Sequence, residues 1–289
     1  MTGVVIEARA VGYRTREGHH LVRGIDLDLR GGRLYAVAGP NGAGKSTLLR
    51  LLSGDLRPSA GEVLIDGRPV GAIAPHELAA WRAVLGQAPG LALPFRVAEV
   101  VRLGVDGIGR GFNERARAAV AADAMERAGV ARHAGRLVDT LSGGERQRVH
   151  FARVLAQLAA GASLERPQAL LLDEPIAALD LRHQLALLEE VRRIADAGTL
   201  VVAVLHDLQL ASAYADEVVL LDGGRVSAVG AGADVFSRAR LARVFSVDLL
   251  DEVLPPTPWR ALDIKVEHAS GAQGAGASAC PEPDVLNGR

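Results

Sequence analysis

Gly39-Pro40-Asn41-Gly42-Ala43-Gly44-Lys45-Ser46-Thr47 fits G-x-x-x-x-G-K-[ST] and lies between an apolar run, Leu34 to Ala38, and a helix-like segment, Thr47 to Leu52. That setting decides the fold, because such a loop works only after a strand and before a helix. Three glycines let the backbone turn so that successive N–H groups converge on phosphate oxygens, and the following helix directs its positive end at them. Lys45 adds a point charge for the outer phosphates, and Ser46 a hydroxyl for a magnesium ion. A nucleotide phosphate site is therefore the first expectation.

The rest of the chain is read outward from this loop. Before it, Val5/Glu7 and Ile25-Asp26-Leu27-Asp28-Leu29 alternate with period two, the mark of strands with one wet face. Tyr13 closes the first of them. After the loop, Gly61 to Val70 forms a hairpin about Asp66-Gly67, so the first sheet has antiparallel parts. A short helix near Pro75 to Arg82 and a strand through Val84 to Gly86 lead to Gln87, where Pro89, Gly90 and Pro94 break the direction of the chain.

From about Val97 to Leu158 the pattern is helical. Asn113 caps a segment that Gly129 ends, and a second helix begins after Leu141, with Val149, Ala152, Leu155 and Leu158 on its apolar stripe and Arg146, Arg148 and Arg153 largely off it. Strand runs return at Gln168 to Asp173 and Leu200 to Leu205, separated by a helix from Leu181 to Ala195. A helix around Leu208 to Ala215 and a hairpin, Glu217 to Val226, follow. Strand and helix alternation with nearly continuous apolar strands predicts a parallel sheet covered on both faces.

In such a sheet, ligands sit at the carboxyl ends of the strands. The phosphate loop, Gln87, Asp173-Glu174 and His206 each follow such an end. Paired carboxylates after a buried strand suit two roles: Asp173 reaches the metal beside Ser46, and Glu174 orients or deprotonates an attacking water. His206 can contact a γ-phosphate. In Leu141-Ser142-Gly143-Gly144-Glu145, Ser142 and Glu145 form a capping box, while Gly143 and Gly144 expose N–H groups at the positive end of a helix, a second anion surface.

With these pieces in this order, the chain resembles the nucleotide-binding ATPase subunit of an ATP-binding cassette (ABC) transporter over roughly residues 4 to 250. Walker A is Gly39 to Thr47, the Q-loop Gln87, the signature Leu141 to Gln147, Walker B Leu170 to Glu174, the D-loop Ala178-Leu179-Asp180 and the H-loop His206. The resemblance implies ATP and Mg²⁺ as cofactors, Tyr13 as the aromatic that stacks on adenine, Gln87 beside metal and catalytic water, and Asp180 at the nucleotide. It implies two cassettes paired head to tail, the signature of one closing on the ATP of the other. Ile176 and Ala177 stand where Thr and Ser are usual after Asp-Glu-Pro, without touching a catalytic group.

The expected fold is α/β: a P-loop NTPase core of mixed parallel sheet flanked by helices, with an N-terminal antiparallel β subdomain and an inserted α-helical signature subdomain. Its expected division is an ATPase domain over 1–250, with core at 1–88 and 162–250 and helices at 89–161, then a largely disordered extension at 251–289. Phrases such as Leu93-Pro94-Phe95 and Leu179-Asp180-Leu181-Arg182-His183-Gln184 are most similar to the haem import ATPases of the metal-chelate group. Siderophore and cobalamin importers share most of these features, and a soluble ABC ATPase without a transport partner is the more distant alternative. The implied partners are a second copy, two membrane permease subunits and, indirectly, a periplasmic haem-binding protein, at the cytoplasmic face of a bacterial inner membrane.

Bulk properties agree with this and narrow it. The 289 residues carry a formal net charge of −1, so no general field draws nucleic acid or an anionic membrane. The one cysteine, Cys280, excludes an internal disulfide. No stretch approaches the ~18 uninterrupted apolar residues of a membrane span, and the N-terminus has no secretory signal pattern. Lysine occurs only at 45 and 265, so general lysine usage does not account for Lys45.

Overall fold

The computed structural model describes residues 5–86, 94–108, 112–164 and 168–247. Gln87, the segment around Pro89, the 251–289 extension and Cys280 lie outside the described residues.

In chain order the elements are β1 (Val5–Arg14), β2 (His20–Arg30), β3 (Leu34–Ala38), α1 (Lys45–Leu52), β4 (Ala60–Ile65), β5 (Arg68–Pro69), α2 (Pro75–Trp81), β6 (Arg82–Leu85), α3 (Val97–Asp106), α4 (Glu114–Arg127), α5 (Gly143–Ala162), β7 (Ala169–Asp173), α6 (Leu181–Asp196), β8 (Leu200–Val204), α7 (Leu208–Tyr214), β9 (Glu217–Asp222), β10 (Arg225–Gly230), α8 (Gly232–Val235) and α9 (Arg238–Phe245). The first sheet, ordered β2-β1-β4-β5, is antiparallel throughout. The second is ordered β10-β9-β3-β8-β7-β6, parallel from β9 to β6 with β10 added antiparallel at the edge.

Every residue of β3, β7 and β8 is buried. Strands covered on both faces must be apolar throughout, which is why Leu-Tyr-Ala-Val-Ala, Ala-Leu-Leu-Leu-Asp and Leu-Val-Val-Ala-Val show no alternation. The lone acid among them, Asp173, ends its strand. Because β3, β7 and β8 are adjacent and parallel, their carboxyl ends open on one edge of the sheet, as the sequence predicts.

Between β6 and β7 lie α3, α4 and α5. The capping signals work locally: Asn113 accepts from Ala116 N at 2.9 Å, and Gly129 follows α4 at φ +65°. The arginines that lie off the apolar stripe of α5 are nonetheless partly or fully buried, Arg148 being only 8% exposed. The arginines enter by donating to backbone carbonyls, Arg148 to Gly129 O at 2.9 Å and Arg153 to Val84 O at 3.3 Å. Arg127 of α4 ties this helical unit to the core by pairing with the buried Glu190 of α6 at 2.6 Å. Arg82 opens β6 instead of closing α2, donating to Ser53 O and pairing with Asp55.

Candidate functional site

The loop after β3 holds its shape through glycines that approach neighbouring backbone. Gly39 has φ +145° and Gly44 φ +97°; a Cβ on either would lie 2.3 Å from a carbonyl oxygen, that of Leu221 or Leu21. Side chains are excluded there on two counts, conformation and space. Gly44 also occupies the position before α1, so the helix starts with no side chain over its free N–H groups.

Lys45 is buried, at 6% exposure, and its Nζ donates to Gly39 O at 2.8 Å and Pro40 O at 2.9 Å. Burial pulls its pKa below the ordinary lysine value, against the raising effect of Glu174 and Asp173. The next residue makes the link to β7: Ser46 Oγ donates to Asp173 Oδ1 at 3.0 Å. Asp173 is 5% exposed, and burial raises its pKa, an effect that the Ser46 hydrogen bond opposes and Glu174 reinforces.

Residues past the ends of β7 and β8 meet across the same edge. His206 Nε2 lies 2.6 Å from Glu174 Oε1. Glu174 adopts φ +51°, a left-handed conformation that residues other than glycine rarely take. Phosphate loop, Asp173, Glu174 and His206 thus form one constellation from three adjacent strands.

Tyr13 sits on the neighbouring sheet, half-buried, paired in register with Val22. It lines a cavity of about 510 Å³ with Gly12, His20, Arg23 and Arg225. The same β2 segment supplies Leu21 O and Val22 Cγ2 beside Gly44, so this cavity borders the phosphate loop.

The Ser142 capping box is formed in both directions, Glu145 N donating to Ser142 Oγ at 3.2 Å and Ser142 N to Glu145 Oε2 at 2.9 Å. It uses the third helical N–H and leaves those of Gly143 and Gly144 without an intrahelical acceptor. Gly144 packs on the loop after β7, where a Cβ would lie 2.9 Å from Ala178 O, whereas nothing lies within 4 Å of a Cβ at Gly143. Asp180 accepts from His183 N at 3.0 Å as the cap of α6, with His183 Nδ1 2.7 Å from the same oxygen, contacts that lower its pKa.

The oxygen donors Ser46 Oγ and Asp173 fit a hard divalent cation. No group of three or more His, Cys, Asp or Glu side chains is placed to hold a metal among the described residues. Asp173→Asn tests this balance. A carboxylate whose pKa is raised by folding weakens the fold as pH climbs through the ordinary carboxylate range, and that cost is complete once pH exceeds the raised value. The amide should raise the nucleotide-free Tm, while stabilisation by Mg²⁺ with ATP disappears. Thermal melts with and without Mg²⁺-ATP read both effects.

The ABC transporter family model matches residues 22–177, from β2 to the loop after β7. The chain belongs to this family and is an ATP-hydrolysing cassette. It is 48% identical over 255 residues to the hemin import ATP-binding protein HmuV of Bradyrhizobium diazoefficiens, covering 88% of this chain and 93% of the relative. With the protein of the same description from Rhizobium meliloti it shares 43% over 238 residues, 82% and 90% of the two chains. Among solved structures, a dimeric bacterial ABC transporter cassette, MJ0796, matches with a TM-score of 0.69 at 25% identity over 78% of this chain and 98% of that one. An inward-facing ABC transporter of putative metal-chelate type matches at 0.67 and 25%, over 86% and 90%. Among the described residues no helix is long and apolar enough to cross a membrane.

Proposed function

We propose that this chain is the ATPase subunit of a haem importer: two copies close head to tail on two ATP molecules, and closure and reopening drive a separate membrane permease supplied by a periplasmic haem-binding protein. The division into a core at 1–88 and 162–250 and a signature unit at 89–161 is part of this reading.

The observation that carries the mechanism is the pairing of Ser46 with Asp173 and of Glu174 with His206 at neighbouring strand ends. The backbone from Gly39 through Asn41, Gly42, Ala43 and Gly44 to Thr47 cradles the phosphates, and Lys45 transfers its donors from Gly39 O and Pro40 O to the outer phosphate oxygens. Ser46 and Asp173, with Gln87 from outside the described residues, would hold Mg²⁺, which neutralises charge on the β- and γ-phosphate oxygens when bound. Glu174 takes the proton of the attacking water, the γ-phosphorus bond to that oxygen forms, and ADP leaves with the electrons of the broken bond. His206 fixes the carboxylate and donates to the γ-phosphate. Tyr13 stacks on adenine, and Asp180 lies where the partner copy closes.

Support for haem as cargo is the 48% identity to a hemin import ATP-binding protein over most of both chains. The test is reconstitution of the chain with its genomically adjacent permease and binding protein in proteoliposomes. Haem-loaded binding protein should raise ATP turnover; stimulation by a ferric siderophore or cobalamin instead would overturn haem.

A further inference from the structure

From Glu174 to Leu179 the chain is neither helix nor strand, and its carbonyls are held by two glutamines from different helices. Gln147 Nε2, on α5, donates to Glu174 O at 3.4 Å and Pro175 O at 3.3 Å. Gln184 Nε2, on α6, donates to Ile176 O at 3.2 Å and Leu179 O at 3.0 Å. Within the loop only Ala177 N to Glu174 O and Leu179 N to Ile176 O add backbone support, at 3.4 and 3.2 Å. Ile176 and Ala177 contribute no side-chain donor.

We infer that Gln147 is a positioning residue for Glu174, tying the helix that presents Gly143 and Gly144 to the carboxylate that receives the proton of water. The inference rests on the general-base reading of Glu174. Glu174 needs an external hold because its left-handed backbone is intrinsically disfavoured, and relaxation toward an ordinary conformation would swing its side chain away from His206. Gln147 supplies that hold at the carbonyl of the strained residue itself. It stands one helical turn beyond Gly143 and Gly144, on a helix whose start packs against Ala178, so a shift of α5 when an anion docks at its N-terminus is passed directly to Glu174. Gln184 braces the far end of the loop, and of the two glutamines Gln147 is the one that reaches the backbone of Glu174.

A double-mutant cycle on the full-length chain tests this, with single-turnover ATP hydrolysis and equilibrium ATP binding as paired readouts. Gln147→Met keeps the length of the side chain and removes its donors; Gln147→Ala is the second variant. Either should slow hydrolysis roughly 10- to 100-fold, the scale of a misplaced reacting group, with ATP affinity unchanged. In a Glu174→Gln background the same change should cost nothing further, because the group it positions is already disabled. An unchanged rate in both Gln147 variants, or a loss that multiplies fully onto that of Glu174→Gln, overturns the inference. Near-normal turnover of Glu174→Gln alone would instead remove the general base, and this role with it.

Discussion

Glu174→Gln should bind ATP as tightly as the parent chain and hydrolyse it about 10²–10⁴-fold more slowly, the usual worth of a positioned base. The separation follows from the geometry. In the proposed site the main phosphate contacts come from the loop after β3, from Lys45 and from the Ser46–Asp173 pair, none of which the substitution touches. The amide has the carboxylate's shape and still presents an oxygen to His206, so the Glu174–His206 contact can persist. What it cannot do is accept a proton from water. Nucleotide should therefore hold the variant closed, and ATP should stabilise it against melting more than ADP does, since binding energy is retained and no longer spent in hydrolysis. Titration with ATP and steady-state phosphate release are the two measurements. Phosphate release near that of the parent would refute the assignment of Glu174.

The readable part of this site is the part written in local pattern. Nearly continuous apolar runs cannot be half-exposed, so β3, β7 and β8 declare themselves as central, and the phosphate loop, Asp173-Glu174 and His206 that follow them mark the same edge of the sheet. The S-x-x-E box at Ser142 and the cap at Asn113 are equally local and form as expected. Less legible is whatever depends on a distant partner. The stripe on α5 records which residues are apolar and says nothing of Arg148 finding Gly129 O, so the helix is buried more completely than its polarity suggests. The Arg127–Glu190 pair joins residues on two helices, each of which reads as an ordinary charged position. Gln147 and Gln184 fall inside stretches that the family resemblance picks out, but no local pattern shows that their amides satisfy carbonyls of a loop elsewhere. Nor does any sequence rule give a left-handed φ to Glu174, a conformation imposed by the loop that follows β7.

Two damaged chains should restore each other. Lys45→Ala removes the buried cation of the phosphate loop, and that chain should lose ATP binding. Gly143→Asp puts a carboxylate at the positive end of α5, where a Cβ meets nothing within 4 Å and the fold tolerates it. Its effect is electrostatic: ATP still enters the intact phosphate loop, but the partner's α5 now repels the γ-phosphate, and hydrolysis should fall about 10²–10³-fold, as when a preorganised donor is lost. In a two-fold dimer each site would combine the phosphate loop of one chain with the signature helix of the other. A mixed dimer then has one site with both lesions and one with neither. Mixing the two inactive chains should therefore recover single-turnover hydrolysis in the fraction that pairs, isolated through different affinity tags. Were the signature helix to serve its own chain's nucleotide, every site in the mixed dimer would carry one lesion and no mixture would recover. Purified mixed dimers that close on ATP yet release no phosphate would place both surfaces in a single chain and end the head-to-tail reading.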